Sequence, residues 1–359
     1  MGRDRTHRLP VPQSLGRSRL TAAGAFLEQT IESQPAELER LLHDPPSASA
    51  IARLSGRSRI FIVGTGTSYH GALVGQFLLR SAGVDAWAIP AFEFANYPPR
   101  IKADDGLVLL SHRGTKRFSQ AALEALGSPD RWLAITGEGS PLSGLGVVHT
   151  VAQERSPVHT ASHTGAMVRL AQLAVGLGSP PWTAELARVP DAIRVTLRLR
   201  AAVVHALARL HLDRVVHFVG GGPAHATALE GALKLREASY LSAEGHELES
   251  ILHGPLISLT AEDSVVMLAQ PGPALERTTE LAAALREIGA ATMAVGPAAA
   301  SLKATVALET PAIDERLAPI INVVPLQWLA LEVSRKLGVD ADSFRKAGRY
   351  AAAQSKFVL

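Results

Sequence analysis

The segment RIFIVGTGTS (59–68) is an apolar run that ends in a Gly/Thr/Ser turn, and RVVHFVGGGP (214–223) repeats this pattern later in the chain. Apolar runs without alternation are typical of strands buried on both faces of a parallel sheet. Each turn opens onto a helical pattern, so each segment predicts a strand joined to a helix by a tight glycine turn. Because the second half opens like the first, we interpret the chain as an internal duplication.

Further short apolar runs follow both segments, with enough chain between them for crossover helices. After the first segment come VDAWAI (84–89), GLVLL (106–110), RWLAI (131–135) and GVVHTV (146–151), and after the second come SVVMLA (264–269), ATMAV (291–295) and ATVAL (304–308). Strands alternating with helices predict two doubly wound α/β domains with mostly parallel sheets. The Gly/Pro break at 176–190 reads as the linker, and 191–212 as a long helix that opens the second domain.

The 359-residue length also suits two domains. We expect a disordered basic tail at 1–19, a first domain at 20–185, a second at 186–340 and a C-terminal tail or lid at 341–359. The first domain begins with apolar residues at helical spacing around Pro35, which predicts a clasp of two short helices joined at the proline. The tail carries five arginines against one aspartate, which we interpret as a solvated arm.

Composition excludes several classes of protein. The chain has no Cys, which rules out a disulfide scaffold, a thiolate nucleophile and a Cys-ligated metal. Its 13 His never form an H-x-x-x-H pair backed by an acid on a helix, so we expect neither a metal nor another cofactor. No G-x-S-x-G occurs, and no apolar run reaches the roughly 18 residues of a membrane span. We therefore expect a cytoplasmic protein that binds neither membrane nor nucleic acid.

The most charged motif is EGALKLRE (230–237). On a helix, Glu230, Lys234 and Glu237 fall at i, i+4 and i+7, which places an ammonium between two carboxylates on one face. Such a group suits proton transfer next to a carbonyl. The alternative is an exposed stripe of ion pairs that contributes little to stability.

Two polar turns follow predicted strands and suit a phosphate. The first contains Gly66, Thr67 and Ser68, and the second is SHRGTK (111–116). The carboxyl ends of parallel strands meet at one edge of a sheet, where bare N–H groups and hydroxyls can share an anion. The first turn is neither a dinucleotide fingerprint nor a P-loop. The cations Arg113 and Lys116 would add positive charge, or alternatively remain solvated.

Taken together these stretches resemble the sugar isomerase (SIS) family, and within it the two-domain isomerase half of glucosamine-6-phosphate synthases. The resemblance spans roughly residues 20 to 345 and rests on 32–35, 66–70, 161–162, LEGALKLREASYLSAEGHELESILHGPL (229–256), 324–327 and 340–345. It implies two tandem flavodoxin-like domains, usually dimeric, that hold a sugar phosphate between turns of the first domain and catalytic groups of the second.

The resemblance also implies roles for single residues. Glu237 would move a proton between carbons 1 and 2, Lys234 would tune that carboxylate, and His253, supplied by the neighbouring subunit, would open the sugar ring. The phosphate and the sugar hydroxyls would be held by Gly66, Thr67, Ser68, Ser111, His112, Arg113, Gly114, Lys116, Thr160 and Ser162.

Three departures from the family pattern bear on function. A glutaminase domain with its Cys is missing, so we do not expect ammonia to be channelled from glutamine. The family loop Ser-x-Ser-Gly-x-Thr reads SHRGTK here, with cations at two hydroxyl positions. The family's C-terminal Schiff-base lysine would correspond to Lys356, in a tail expected to fold over the sugar site as a lid.

We therefore expect an aldose–ketose isomerase or deaminase of an amino-sugar phosphate, such as glucosamine 6-phosphate or a fructose-6-phosphate-like ketose. Two alternatives remain open at this stage. One is a deglycase that cleaves an amine from a ketosamine phosphate with the same acid–base pair. The other is a non-catalytic sugar-phosphate sensor, because SIS domains also serve as binding modules in regulators.

Overall fold

A computed structural model describes residues 23–345 and 348–357 of the chain. The expected basic tail at 1–19 lies outside these residues. The first domain contains, in chain order, α1 (Ala25–His43), α2 (Ala48–Ala52), β1 (Arg59–Gly64), α3 (Thr67–Ser81), β2 (Ala86–Pro90), α4 (Ala91–Asn96), β3 (Asp105–Leu110), α5 (Arg117–Leu126), β4 (Trp132–Glu138), β5 (Val147–Ala152) and α6 (Ala161–Leu177).

The second domain follows a short connection. Its elements are α7 (Thr183–Leu186), α8 (Val189–Leu197), α9 (Arg200–Ala206), β6 (Val216–Gly220), α10 (Pro223–Ser239), β7 (Ala243–Glu247), α11 (Leu248–Leu252), β8 (Ser264–Leu268), α12 (Leu275–Ile288), β9 (Ala291–Val295), β10 (Val306–Leu308) and α13 (Ala318–Lys336), with α14 (Gly348–Gln354) beyond them. Short 3₁₀ turns lie at Pro129–Arg131, Pro255–Ser258 and Ala299–Leu302. No helix in the described ranges is both long and apolar enough to cross a membrane.

Both sheets are parallel and share one strand order. The first runs β2-β1-β3-β4-β5 and the second β7-β6-β8-β9-β10. In each, the first strand of the domain lies inside the sheet, with the second strand at the edge beside it and the third on its other side. This is the flavodoxin-like doubly wound order, so the predicted fold class is confirmed.

The two glycine turns also have matching conformations. Gly66, before α3, has φ 56° and ψ −127°, and Gly222, before α10, has φ 57° and ψ −132°. Both lie in a positive-φ region that side chains with a Cβ rarely adopt. Each turn therefore requires its glycine to bring the strand into the following helix.

The predicted clasp differs from the structure, because α1 is one continuous helix with Pro35 inside it. A proline within a helix costs about 3 kcal/mol, since its N–H is lost and its ring crowds the preceding turn. Here α1 buries Leu27, Ile31, Leu38 and Leu41 completely, and burying each such side chain contributes about 1.5–3 kcal/mol. Packing therefore outweighs the local cost of the proline.

Two other boundaries also differ from the predicted ones. The helix expected over 191–212 is broken, since α8 ends at Leu197 and α9 begins at Arg200. In addition, the segment AEGHE forms β7, which the polar sequence does not suggest. As the edge strand of its sheet, β7 pairs with β6 alone and need not be apolar.

Candidate active site

The charged face of α10 is buried rather than solvent-exposed. Glu230 and Lys234 are each 1 % exposed, while Glu237 retains 25 % exposure of its side chain. The Lys234 Nζ lies 2.6 Å from Glu237 Oε2 and 3.4 Å from Glu230 Oε1. The alternative of an exposed ion-pair stripe is therefore wrong, and the ammonium lies between the two carboxylates as the helical spacing predicts.

The first domain fixes Glu230 from the other side. Thr67 Oγ1 donates to Glu230 Oε1 at 3.0 Å, and His70 Nδ1 lies 2.6 Å from Glu230 Oε2. Both residues come from the first turn of α3, directly after the glycine turn. The buried carboxylate thus has partners on both oxygens and joins α10 of the second domain to α3 of the first.

The charges of their neighbours keep Glu230 and Lys234 ionised despite burial. Burial alone would raise the pKa of Glu230, but the Lys234 ammonium and the nearby His163 and His70 hold that pKa below its ordinary value. Burial likewise disfavours the Lys234 ammonium, yet the two carboxylates hold the pKa of Lys234 above its ordinary value. Both oxygens of Glu230 are hydrogen-bonded, so Glu237, which is partly exposed, is the carboxylate that a ligand can reach.

A narrow cleft lies at the carboxyl ends of β1, β3 and β4, and Thr67, which donates to Glu230, is part of its lining. Its polar lining includes five of the predicted binding residues: Thr67, Ser68, Ser111, His112 and Ser162. The carboxyl edge of a parallel sheet is where such folds bind ligands. The two polar turns and the start of α6 are thus brought together around one cleft.

The remaining predicted binding residues do not border this cleft. Arg113 is exposed, and Lys116 is half-buried just before α5. Burial, followed by the charge of Arg113, lowers the pKa of the Lys116 ammonium. Gly114 has φ 69° and shapes the loop, while Thr160 lies at the start of α6. The loop therefore presents Ser111 and His112 to the cleft and holds its cations outside it.

His112 is held in one orientation. Its Nε2 lies 3.2 Å from the backbone N–H of Glu154, which makes Nε2 the acceptor. In the neutral ring the proton must then be on Nδ1. This Nδ1 is buried and has no hydrogen-bond partner within the described residues. Burial lowers the pKa of His112, so the ring is neutral and offers an unused N–H donor.

The start of α6 is already bound to an internal anion. The Glu154 carboxylate accepts from the backbone N–H of Ser162 at 2.8 Å and of Thr160 at 3.0 Å. The Thr160 hydroxyl donates to Thr30 Oγ1 of α1 at 2.9 Å. Thr160 therefore links α6 to α1. The backbone N–H groups of Thr160 and Ser162 at the start of α6 are already bonded to Glu154.

Two histidines that line the cleft, His159 and His163, were not predicted from the sequence. His159 meets the His112 ring edge-on, with centroids 5.0 Å apart, and His163 is 5 % exposed with an unpartnered Nδ1. Burial, reinforced by Lys234, lowers the pKa of His159 to about 3, and burial lowers that of His163 to about 4. The two stand at H-x-x-x-H spacing, but no acidic residue lies between them, and only the fold brings the start of α6 against the loop.

Two predicted catalytic residues lie away from this group. His253 follows α11, its side chain is 72 % exposed, and its Nε2 lies 2.7 Å from Glu249 Oε1. Lys356 is exposed in the turn after α14, a helix that buries none of its side chains. Since α14 packs little against the rest of this chain, the expected lid over the site stays a prediction.

Comparison with known proteins supports the assignment of the fold. Residues 211–334 match the SIS domain family. Over 358 aligned residues the chain is 32 % identical to a glutamine–fructose-6-phosphate aminotransferase (isomerizing) of Gloeobacter violaceus, covering 90 % of this chain and 58 % of the relative. The enzyme of the same name from Methanothermobacter thermautotrophicus is 29 % identical, with 88 % and 55 % covered. The chain thus spans somewhat over half the length of these relatives.

Solved structures share the fold across both domains. The C-terminal domain of glucosamine-fructose-6-phosphate aminotransferase from Francisella tularensis superposes with a TM-score of 0.77 at 21 % identity, covering 89 % of this chain and 98 % of that one. A glucosamine-6-phosphate deaminase from Thermotoga maritima gives a TM-score of 0.72 at 21 % identity, covering 90 % and 98 %. The chain thus contains a SIS domain over residues 211–334, and its described part has the two-domain fold of these solved structures.

Proposed function

We propose that this protein is a sugar-phosphate isomerase that acts on an amino-sugar phosphate, releasing ammonia or using free ammonia in reverse. The observation that carries the proposal is the fully buried Lys234, held 2.6 Å from the partly exposed Glu237 carboxylate on the helix whose Glu230 accepts from Thr67 of the hydroxyl-lined cleft. The relatives' names supply the substrate class, which we extend to this chain as part of the proposal.

The chemistry requires a base that stays ionised and a charge to stabilise the intermediate. Glu237 would remove the proton from carbon 2, and the electron pair of that C–H bond would form the double bond of an enediolate or enolamine. The same carboxyl group would return the proton to carbon 1, and with an amino sugar water would then add to the resulting imine at carbon 2, so that ammonia leaves and the ketose remains. The Lys234 ammonium would stabilise the negative charge that develops in between. Glu230 would position Lys234, because its own oxygens are taken by Thr67 and His70.

The phosphate would enter the cleft between the two polar turns. Ser68, Ser111 and Ser162 would donate from their hydroxyls, and the unpartnered Nδ1–H of His112 would gain an acceptor. A buried donor without a partner costs about 1–3 kcal/mol, so a phosphate oxygen here would recover that energy. The role expected for Lys356 stays a prediction, since this residue is exposed beyond α14.

Proton exchange with solvent tests the proposal directly. The protein is incubated in D₂O with glucosamine 6-phosphate, and in parallel with fructose 6-phosphate plus ammonium, while NMR follows deuterium at carbons 1 and 2 and a coupled assay follows ammonia. We expect deuterium incorporation together with ammonia release. Exchange without ammonia release would restrict the activity to isomerisation. Tight binding with no exchange would contradict an enzyme and support the sugar-phosphate sensor.

The loop cations give a separate prediction about binding. If the loop moves onto a bound phosphate, Arg113→Ala or Lys116→Ala should weaken binding of phosphorylated sugars by about 1.5–3 kcal/mol, the contribution of a charge-assisted hydrogen bond. Calorimetry with glucosamine 6-phosphate and glucosamine measures the difference. The unphosphorylated sugar should bind equally well to all variants, and equal losses for both ligands would mean that the substitutions only destabilise the loop.

The exposed position of His253 leads to a prediction about assembly. We propose that the protein is a homodimer in which His253 completes the neighbouring subunit's site. His253→Ala and Glu237→Gln should each be inactive, and mixing them with subunit exchange should restore part of the activity, because one site of a heterodimer then has both native groups. Full activity of a monomer in sedimentation experiments would contradict a shared site.

A further inference from the structure

Three potential metal ligands lie together on the second sheet, away from the cleft. His217 is on β6, and Glu244 and His246 are on the adjacent edge strand β7. The register pairs His217 with Glu244 and Val219 with His246. Because strand side chains alternate between faces, these three side chains share one face. Their ligand atoms all lie within 4.8 Å of one another.

This face is opposite the one that carries the acid–base group. Phe218, the residue between the two paired positions on β6, points toward α10, where it lies against Gly231. His217 therefore points away from α10 and from Lys234. Any ion held by the cluster would not take part in proton transfer by Glu237.

The distances suit a tetrahedral ion. His217 Nδ1 lies 3.0 Å from His246 Nε2, and His246 Nε2 lies 3.6 Å from Glu244 Oε2. A tetrahedral zinc ion with ligands at about 2.0–2.1 Å holds its ligand atoms about 3.3–3.4 Å apart. The two observed separations lie on either side of this value, so shifts of a few tenths of an ångström would form the site.

The surroundings of the cluster also favour a cation. His217 is 7 % exposed, and its Nδ1 faces His246 Nε2 at 3.0 Å, so at least one of these two nitrogens presents the lone pair that a metal binds. The charged groups that face His217 are the Glu244 and Asp263 carboxylates and the Arg214 guanidinium. Arg214 itself is paired with Asp263 at 2.9 Å. Glu244, which is 59 % exposed, leaves one side of the cluster open to water.

We propose that His217, Glu244 and His246 form a binding site for a divalent transition-metal ion of the zinc class. Two imidazoles and one carboxylate with an open fourth position are an established ligand set for this ion. The ion would fasten β7 to β6. Since β7 leads directly into α11 and His253, the ion would also fix the segment that we propose reaches the neighbouring subunit.

Sequence spacing gives no sign of this site, and the expectation of no metal is revised by the proposal. The expectation of no metal rested on the lack of a histidine pair backed by an acid on a helix. The present ligands come from two strands that are distant along the chain, one of which, β7, was not predicted. Their proximity depends on the parallel register of β6 and β7.

Cobalt titration tests the proposal without relying on enzyme activity. The full chain is treated with a chelator, dialysed and titrated with Co²⁺, whose visible absorption reports tetrahedral coordination. We expect one Co²⁺ per chain, displaced by Zn²⁺, with affinity lowered by about a hundredfold or more in Glu244→Gln and His246→Ala. This exceeds the 10–100-fold loss typical of residues that only support a ligand.

Two matched controls complete the experiment. Glu262→Gln removes another exposed carboxylate of the same domain, and His205→Ala removes an exposed histidine on α9; both should bind Co²⁺ like the wild type. Glu244→Gln changes an exposed side chain, so it remains informative even if His246→Ala fails to fold. A wild-type chain without tetrahedral absorption, or equal affinity in wild type and Glu244→Gln, would overturn the proposal and leave a hydrogen-bonded histidine pair.

Discussion

Replacing Glu237 by Gln is expected to lower turnover at least about a hundredfold while changing sugar-phosphate binding only a few-fold. The substitution keeps the size and polarity of the side chain and removes the base, and general-base catalysis typically contributes 10²–10⁴-fold. The affected step is proton transfer at carbon 2, so deuterium incorporation from D₂O should fall by the same factor as turnover. Steady-state kinetics and NMR exchange measure the two quantities independently.

A matched control separates this effect from a general loss of carboxylates. Glu276→Gln makes the same chemical change at an exposed position on α12 and should leave turnover unchanged. Both variants should remain folded at the assay temperature, because Lys234 keeps Glu230 as a partner when Glu237 is replaced, and thermal unfolding checks this. If Glu237→Gln turns over normally, Glu237 is not the base, and the buried Glu230–Lys234 pair would have only a structural role.

The sequence predicts most of the fold because the strands that build it are internal. β3, β6, β8 and β9 are buried along their full length, so their sequences are mostly apolar. The edge strand β7 is the exception, since AEGHE has neither an apolar run nor clear alternation. β7 pairs with β6 because the chain returns to the edge of the sheet after α10. A pattern within the five residues of β7 cannot show this.

The candidate site is predictable only in part, for a related reason. The spacing of Glu230, Lys234 and Glu237 shows that they share a helix face, but not that the face is buried. Burial depends on Thr67 and His70, which come from the other domain and occupy both Glu230 oxygens. His159 and His163 likewise join the cleft through packing of α6 against the loop, which their four-residue spacing in HTASHTG does not show.

Replacing Lys234 by Met is expected to destabilise the protein by about 3–5 kcal/mol, the usual cost of removing one partner from a buried ion pair. Methionine has a similar length and no charge, so it fills the space but leaves Glu230, which is 1 % exposed, without its ammonium. Arg236→Met is the matched control, because it removes a cation from an exposed position on the same helix and should stay within about 0.5 kcal/mol of wild type. Denaturant unfolding of both variants measures the difference.

A double variant distinguishes an unpaired charge from lost packing. Adding Glu230→Gln to Lys234→Met removes the uncompensated carboxylate and should restore part of the lost stability, because a neutral amide is less costly to bury than a carboxylate. The two substitutions should therefore be clearly non-additive, as expected for groups in direct contact. Additive losses, or a Lys234→Met variant as stable as Arg236→Met, would mean that Lys234 does not compensate Glu230. The proposed role of Lys234 in stabilising the charged intermediate would then lose its structural support, whatever the turnover of Glu237→Gln.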